Sequence, residues 1–316
     1  MYRLAAELGV VEVEMSSTPV ETSTEVFVAH RELLFRIVYN LLGSVPDTED
    51  ILQETWLSWS GRQSRPDPAG VDNARAYLVK IAVNHALARR ASATRRRESY
   101  VGPWLPEPLI TADAGPDGAD HALRAESVSM ALLVVLETLS PLERAVFVLY
   151  DVFGYQYPEI AGILGRSPAA IRQLAHRARE HVQAGRPRFR ADPRVQREVT
   201  EKFLAAALGG DLATLLEMMS PEVVMVTDGG GKVRGAGLRP VSGRERVARL
   251  LAGYARRPPL DVGVRYWHVN GDPAAVVFSG DSLQAVIVLD LSPDDLVRAV
   301  YTVANPDKLA RPGPGG

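Results

Sequence analysis

Cysteine does not occur anywhere in the 316 residues. Its absence excludes disulfides, thiolate nucleophiles and cysteine-based zinc sites. No apolar run is long enough to span a bilayer. The N-terminus lacks a basic stretch followed by an apolar one, so it does not read as a secretion signal, and the cytoplasm is the expected compartment. Internal repeats are not evident. A large excess of either charge is also missing: 36 Lys and Arg oppose 38 Asp and Glu, for a formal net charge of −2.

That near-neutral total hides segregation. Residues 47–54 are acidic through Asp47, Glu49, Asp50 and Glu54. Residues 75–97 are basic through Arg75, Lys80, Arg89, Arg90, Arg95, Arg96 and Arg97, and so are residues 166–190. Local patches set the field that a polyanion meets, so nucleic acid stays open as a partner. The apolar fraction of 46% is ordinary, and the length suggests two or three domains with cores of their own.

The most informative stretch is 166–179. Ser167 suits an N-cap and Pro168 a first helical turn. Ile171, Leu174, Ala175 and Ala178 recur at helical spacing and can face a core. Arg172, Gln173, His176, Arg177 and Arg179 are then left outward. Upstream, residues 157–165 read as a shorter helix ended by Gly165. Two short helices joined by a tight glycine turn, the second rich in Arg and Gln, form a helix-turn-helix. Arg172 and Gln173 near its start would face base edges. Ser167, the backbone amides at the N-terminus, Arg177 and Arg179 suit phosphates, and Arg166 and His176 belong to the same candidate surface.

Residues 22–42, 47–60 and 73–97 read as three helices, and 99–120 as a proline-rich linker rather than a helix. On 47–60, Asp47, Asp50, Gln53 and Glu54 share a helix with Trp56, a face that suits docking onto a basic partner helix with tryptophan as anchor. The same acids also suit a solvated helix start that complements the macrodipole. On 73–97, Tyr77, Lys80, Asn84, His85, Arg89 and Arg90 combine cations with groups that read or stack on unpaired bases. A solvated basic face is the alternative there. Beyond 195 the pattern changes to two helices and then five β-rich runs, indicating an α+β domain with antiparallel strands.

The combination 47–59, 77–97 and 139–182 resembles the bacterial extracytoplasmic-function sigma factors. The resemblance spans about residues 22–186. It implies that Asp47, Asp50, Gln53, Glu54 and Trp56 grip core RNA polymerase. It implies that Tyr77, Lys80, Asn84, His85, Arg89 and Arg90 open and read the promoter −10 element, and that the helix-turn-helix reads the −35 element. Two positions depart from the family pattern: Ala88 stands where an Asp is frequent, and Gln156 where Ser or Thr usually opens a helix. Residues 104–109 (Trp104, Leu105 and Pro106 among them), 228–232 (Asp228, Gly229, Gly230, Gly231 and Lys232) and 305–309 (Asn305, Pro306, Asp307, Lys308 and Leu309) match a subgroup with a fused SnoaL-like domain. For it the resemblance implies an NTF2-like cone that regulates the sigma core in cis.

The expected architecture is therefore multidomain. A flexible tail (1–21, with Met15 a candidate true start) precedes an all-α unit over 22–98, a linker over 99–120 and a second all-α unit over 121–186. A short linker (187–194), the α+β cone (195–311) and a tail (312–316) follow. Core polymerase and promoter DNA are the expected partners, and an unknown small ligand in the cone is an open one. No cofactor, metal or membrane partner is expected. Pro-bracketed Trp104 reads as a rigid apolar plug, and 228–232 as a turn carrying both charge signs. Candidate groups for isomerase-like chemistry are Asp228, His268, Asp272 and Asp281, each with a plainer reading as a turn or packing residue, so the chain is not expected to be an enzyme. The rival reading is a stand-alone helix-turn-helix regulator with a ligand-sensing cone.

Overall fold

The computed structural model describes residues 23–63, 73–111, 128–185, 191–255 and 262–310. The two terminal tails fall outside these residues, as do parts of both linkers. The first helical unit comprises α1 (Ser23–Leu42), α2 (Val45–Gln63) and α3 (Ala74–Glu98). Pro46 lies inside the first turn of α2, where its missing N–H costs nothing, so the break between α1 and α2 is shorter than the sequence pattern predicts. The three helices bury Leu34, Ile37, Val38, Ile51, Leu52, Trp59, Leu78, Val79 and Val83 against one another. Trp59 donates from its indole nitrogen to the Ser23 carbonyl at 2.9 Å, which satisfies its one polar atom.

The second helical unit follows the linker. It contains α4 (Met130–Leu136), α5 (Pro141–Phe147) with a π-helical extension over Val148–Val152, α6 (Tyr157–Leu164) and α7 (Pro168–Gly185). Ser140 and Glu143 close a capping box at the start of α5. At α6 the departure from Ser or Thr is compensated: the Glu159 carboxylate accepts from the Gln156 N–H at 2.7 Å. Gly165 ends α6 at φ +62°, a conformation that a side chain would oppose. The two helical units share a single apolar core running from Phe27 to Val182.

The C-terminal unit is α+β. Helices α8 (Pro193–Gly209), α9 (Leu212–Met218) and α10 (Arg244–Ala255) cover one face of a seven-stranded sheet. The strands are β1 (Ile110–Thr111), β2 (Met219–Asp228), β3 (Val241–Ser242), β4 (Val262–Val269), β5 (Asp272–Ser279), β6 (Ser282–Leu291) and β7 (Val297–Val303), in the order β1-β4-β5-β6-β7-β2-β3. A short α11 (Pro306–Leu309) closes the unit. The sheet is mixed, not wholly antiparallel as expected, because β2 pairs parallel with β7. Register shifts at Val277/Phe278 and Asp290/Leu291 mark bulges, which bend a sheet.

Two elements cross from one unit to another. Residues of the linker form β1, which adds to the edge of β4. Helix α4 is two-sided: Leu133 and Leu136 enter the sigma-like core, while Met130 and Ala131 pack on the opposite face of the sheet with Leu105, Val276, Val288 and Tyr301. Burying a side chain such as Met130 or Leu105 contributes about 1.5–3 kcal/mol.

Candidate functional site

Helix α7 carries the outward groups the sequence predicts. Arg166, Ser167, Arg172, Gln173, His176 and Arg177 are exposed, and Ile171, Leu174, Ala175 and Ala178 are buried. The Ser167 hydroxyl caps the helix by accepting from the Ala170 N–H at 3.2 Å. The side chains of Arg172 and Gln173 make no hydrogen bond or ion pair among the described residues, so both are available to a ligand. Arg179 is placed differently. Its guanidinium bonds Asp151 at 2.9 Å and lies 4.6 Å from the centre of the Tyr150 ring, so it fixes α7 to the π segment.

In the first helical unit the acids and the cations face each other. Arg89 pairs with Asp50 and lies 3.4 Å from Asp47. His85 Nδ1 lies 3.2 Å from Glu54. Asp50, Gln53, Lys80 and Asn84 are exposed, while Trp56 is half-buried with its ring 5.3 Å from Phe27. Leu57 beside it is 67% exposed, an apolar group on the same helix that the sequence reading did not single out. Arg90 belongs to the interior, not to an open basic face. It is 4% exposed, donates to the Leu41 carbonyl at 2.6 Å and reaches Glu137 at 3.5 Å. The side chains of 91–98, including Arg95, Arg96 and Arg97, lie outside the described residues.

The two candidate DNA-binding surfaces touch. The Asn84 amide donates to the Lys80 carbonyl at 2.7 Å and to the Ile163 carbonyl, at the end of α6, at 3.2 Å. Arg144 of α5 is fully buried; its Nε donates to the Asn40 carbonyl at 2.7 Å and its other arm pairs with Glu137.

The three short motifs of the linker and the C-terminal unit converge on Asp228. This carboxylate is 0% exposed and accepts from the Tyr100 hydroxyl at 2.5 Å, Leu105 N–H at 2.9 Å, Gly230 N–H at 3.1 Å and Lys308 Nζ at 2.7 Å. Burial, reinforced by Asp228, holds the Tyr100 phenol well above its usual range, so it stays protonated and donates. Asn305 donates to the Tyr100 oxygen at 2.7 Å. Lys308 lies over Trp104, 4.2 Å from the ring centre, and also donates to the Leu105 carbonyl. Lys232 and Asp307 close the rim as an exposed ion pair. The glycines serve close approach: Gly230 sits at φ +58°, and a Cβ there would meet the Asn305 amide at 2.5 Å. Pro306 occupies the first turn of α11 behind its Asn305 cap, and Leu309 is buried.

The plug is Leu105, not Trp104. Leu105 is 1% exposed, and Pro106 beside it is also buried, while the Trp104 ring is half-buried between Lys308 and Gly43. Tyr100, the residue that links Asp228 to Asn305, was not among the sequence candidates. Its only sequence signal is an aromatic at the start of a proline-rich linker.

The candidate isomerase groups do not form one site. Asp228 ends β2 and His268 lies on β4, four strands apart in the sheet, or about 19 Å at about 4.8 Å per strand. Asp281 lies in the exposed β5–β6 turn. His268 lines a small recess with Arg197, Thr200, Tyr266, Trp267 and Pro273. No group of three or more His, Asp or Glu among the described residues is arranged to hold a metal. No helix among them is long and apolar enough to cross a membrane.

Comparison with known proteins is decisive for the helical half and extends through the sheet. Residues 26–96 match the model for Sigma-70 region 2, and residues 129–182 match Sigma-70, region 4. The ECF RNA polymerase sigma factor SigJ of Mycobacterium tuberculosis is 38% identical over 292 residues, covering 90% of this chain and 92% of the relative. The chain belongs to the ECF RNA polymerase sigma factors. A second relative, a probable ECF sigma factor SigI of the same species, is 30% identical across 89% of this chain and 92% of its own length. The crystal structure of SigJ superposes with a TM-score of 0.70 at 34% identity, covering 91% of this chain and 98% of that one. As a sigma factor, the chain is a transcription initiation factor that directs core RNA polymerase to promoters, rather than a stand-alone regulator.

Proposed function

We propose that this sigma factor rests in a closed form, in which its C-terminal extension and linker hold region 2 against region 4. Core polymerase is met by Asp50, Gln53, Glu54 and Trp56 of α2, with Asp47 at its start and Leu57 extending the apolar contact. The −10 element is read by Tyr77, Lys80, Asn84, His85 and Arg89. The −35 element is read by Arg172 and Gln173, with Arg166, Ser167, His176 and Arg177 on the flanking backbone. Arg90 and Arg179 serve the fold. The extension is a regulator in cis, not a catalyst, and the protein works in the cytoplasm alongside the polymerase.

The observation that carries this reading is the contact of Asn84 with Ile163 across the two DNA-binding units. The two promoter elements are named for positions some 25 base pairs apart, about 85 Å of duplex at about 3.4 Å per pair. Two units sharing one core cannot cover that span, so binding to promoter-loaded polymerase requires them to part. His85 and Arg89 are also engaged by the acids of α2, which keeps the −10 surface self-neutralised in the free chain.

Run-off transcription with core polymerase tests the assignment. Transcripts are expected only when sigma factor and core are both present. Arg172→Ala and Gln173→Ala should each reduce output from a promoter with an intact −35 element by about 5- to 100-fold, the range of one lost bidentate base contact. Unchanged output with both substitutions would remove α7 from promoter reading.

A further inference from the structure

The linker also reaches the start of α2. The first turn of a helix leaves N–H groups without intrahelical partners. In α2, Pro46 has no N–H, and Thr48 donates to the Ser44 carbonyl at 3.1 Å. Val45 and Asp47 remain. Asp47 reaches the Ser44 hydroxyl only at 3.4 Å, whereas Val45 donates to the Glu107 carboxylate at 2.9 Å. The Ser44 hydroxyl donates to the other Glu107 oxygen at 3.4 Å. A linker carboxylate thus caps α2, where negative charge also complements the helix dipole.

Glu107 is itself held from the C-terminal sheet. Its N–H donates to the Gly43 carbonyl at 3.0 Å, and its carbonyl accepts from the Tyr39 hydroxyl at 2.5 Å. The Tyr39 oxygen accepts in turn from the Asn270 amide at 2.8 Å. Asn270 lies in the two-residue β4–β5 turn at φ +51° and is 3% exposed. Its backbone N–H donates to the Leu109 carbonyl at 3.0 Å, and its side-chain oxygen accepts from the Leu109 N–H at 3.3 Å. An unbroken run of hydrogen bonds therefore joins the sheet of the extension to the N-terminus of α2.

We propose that Glu107 is a positioning residue for the polymerase-binding helix, held in place by Asn270, so that the docked extension supports core-polymerase binding. This rests on the reading of α2 as the polymerase-binding helix. It gives the extension two opposed effects: it keeps regions 2 and 4 together, and it supports the helix that region 2 offers to polymerase.

The test uses the full chain with Glu107→Gln, Asn270→Asp and the two combined. Asn270→Asp keeps the tolerance for positive φ and the acceptor for Leu109, and replaces the donor to Tyr39 by a buried, negatively charged acceptor. Three quantities are measured: exchange of the Val45 and Asp47 amides, affinity for core polymerase, and affinity for a −35 duplex. Each single variant should speed exchange and weaken core binding by about two- to fivefold, the worth of a charge at a helix N-terminus, with the duplex affinity unmoved. The combined variant should be no worse than either alone. Wild-type exchange and core affinity in Asn270→Asp would overturn the coupling to the extension. Tighter core binding by Glu107→Gln would overturn the supporting role and make Glu107 a restraint. A wild-type chain that fails to bind core would instead sink the polymerase reading of α2, while the exchange rates still decide whether Asn270 holds the cap.

Discussion

Replacing Asp228 with Ala is expected to release the linker from the extension and to destabilise the full chain by about 3–5 kcal/mol. Asp228 is the common acceptor for the linker groups Tyr100 and Leu105 and for Lys308 of α11. Its removal leaves Lys308, whose side chain is 7% exposed, without its carboxylate and leaves the Leu105 N–H without an acceptor. A buried ammonium deprived of its counter-charge accounts for most of the loss. The double substitution Asp228→Ala with Lys308→Met should therefore be milder than Asp228→Ala alone. Urea unfolding gives the stabilities, and exchange of the Tyr100 and Leu105 amides reports the linker directly. A single substitution as harmless as the double one would show that the ion pair does not hold the linker.

Replacing Arg144 with Ala is expected to part regions 2 and 4 in the free chain. Arg144 belongs to region 4, yet its Nε bonds the Asn40 carbonyl in region 2 across 104 positions of sequence. Its pairing with Glu137 fixes the guanidinium for that contact. Removing it takes from Glu137 its close cation, leaving Arg90 at 3.5 Å as a more distant one, and opens a cavity at the junction. A loss of about 3–5 kcal/mol is the expected size, which shifts a closed-to-open equilibrium by more than about 100-fold. Small-angle scattering should show a larger radius of gyration for Arg144→Ala, with the helical content kept. The pair Arg144→Met and Glu137→Leu, which replaces charges by apolar groups, should stay closer to the compact wild type. Equal compactness in all three chains would mean that the apolar core alone holds the units together.

The helix-turn-helix was legible because its signals are local. Ser167, Pro168 and Gly165 punctuate it, and the apolar residues of α7 recur within one helix. Family resemblance marks residues 104–109, 228–232 and 305–309 but does not say that they meet, and no local rule places Asp228 beside Tyr100. Trp104 lies shallower than its size suggests for a physical reason: the largest apolar side chain is not the deepest one when a smaller neighbour fits and a cation covers the ring. Arg90 read as a DNA contact because helical spacing does not reveal that region 4 packs over that end of α3. The parallel pairing of β2 with β7 depends on a long-range register, invisible in strand patterns. Helix α10 was missed since its arginines, Arg244, Arg246 and Arg249, mask the short apolar stripe of Val247, Ala248 and Leu251.

Glu107 and Asn270 show the same limit from the other side. Each is unremarkable in its own segment, one an acid in a proline-rich run and the other the first residue of an Asn-Gly turn. Only the fold brings both to Tyr39, whose hydroxyl joins them.

The most direct measurement is the distance between regions 2 and 4 in the free chain and in promoter-bound holoenzyme. The absence of cysteine makes it simple, since Val28→Cys on α1 and Gln183→Cys on α7 give two labels at exposed positions on a chain with no other thiol. A closed resting form predicts one short distance in the free chain and a lengthening of tens of ångströms on assembly with core polymerase and promoter. The same distance in both states would contradict it.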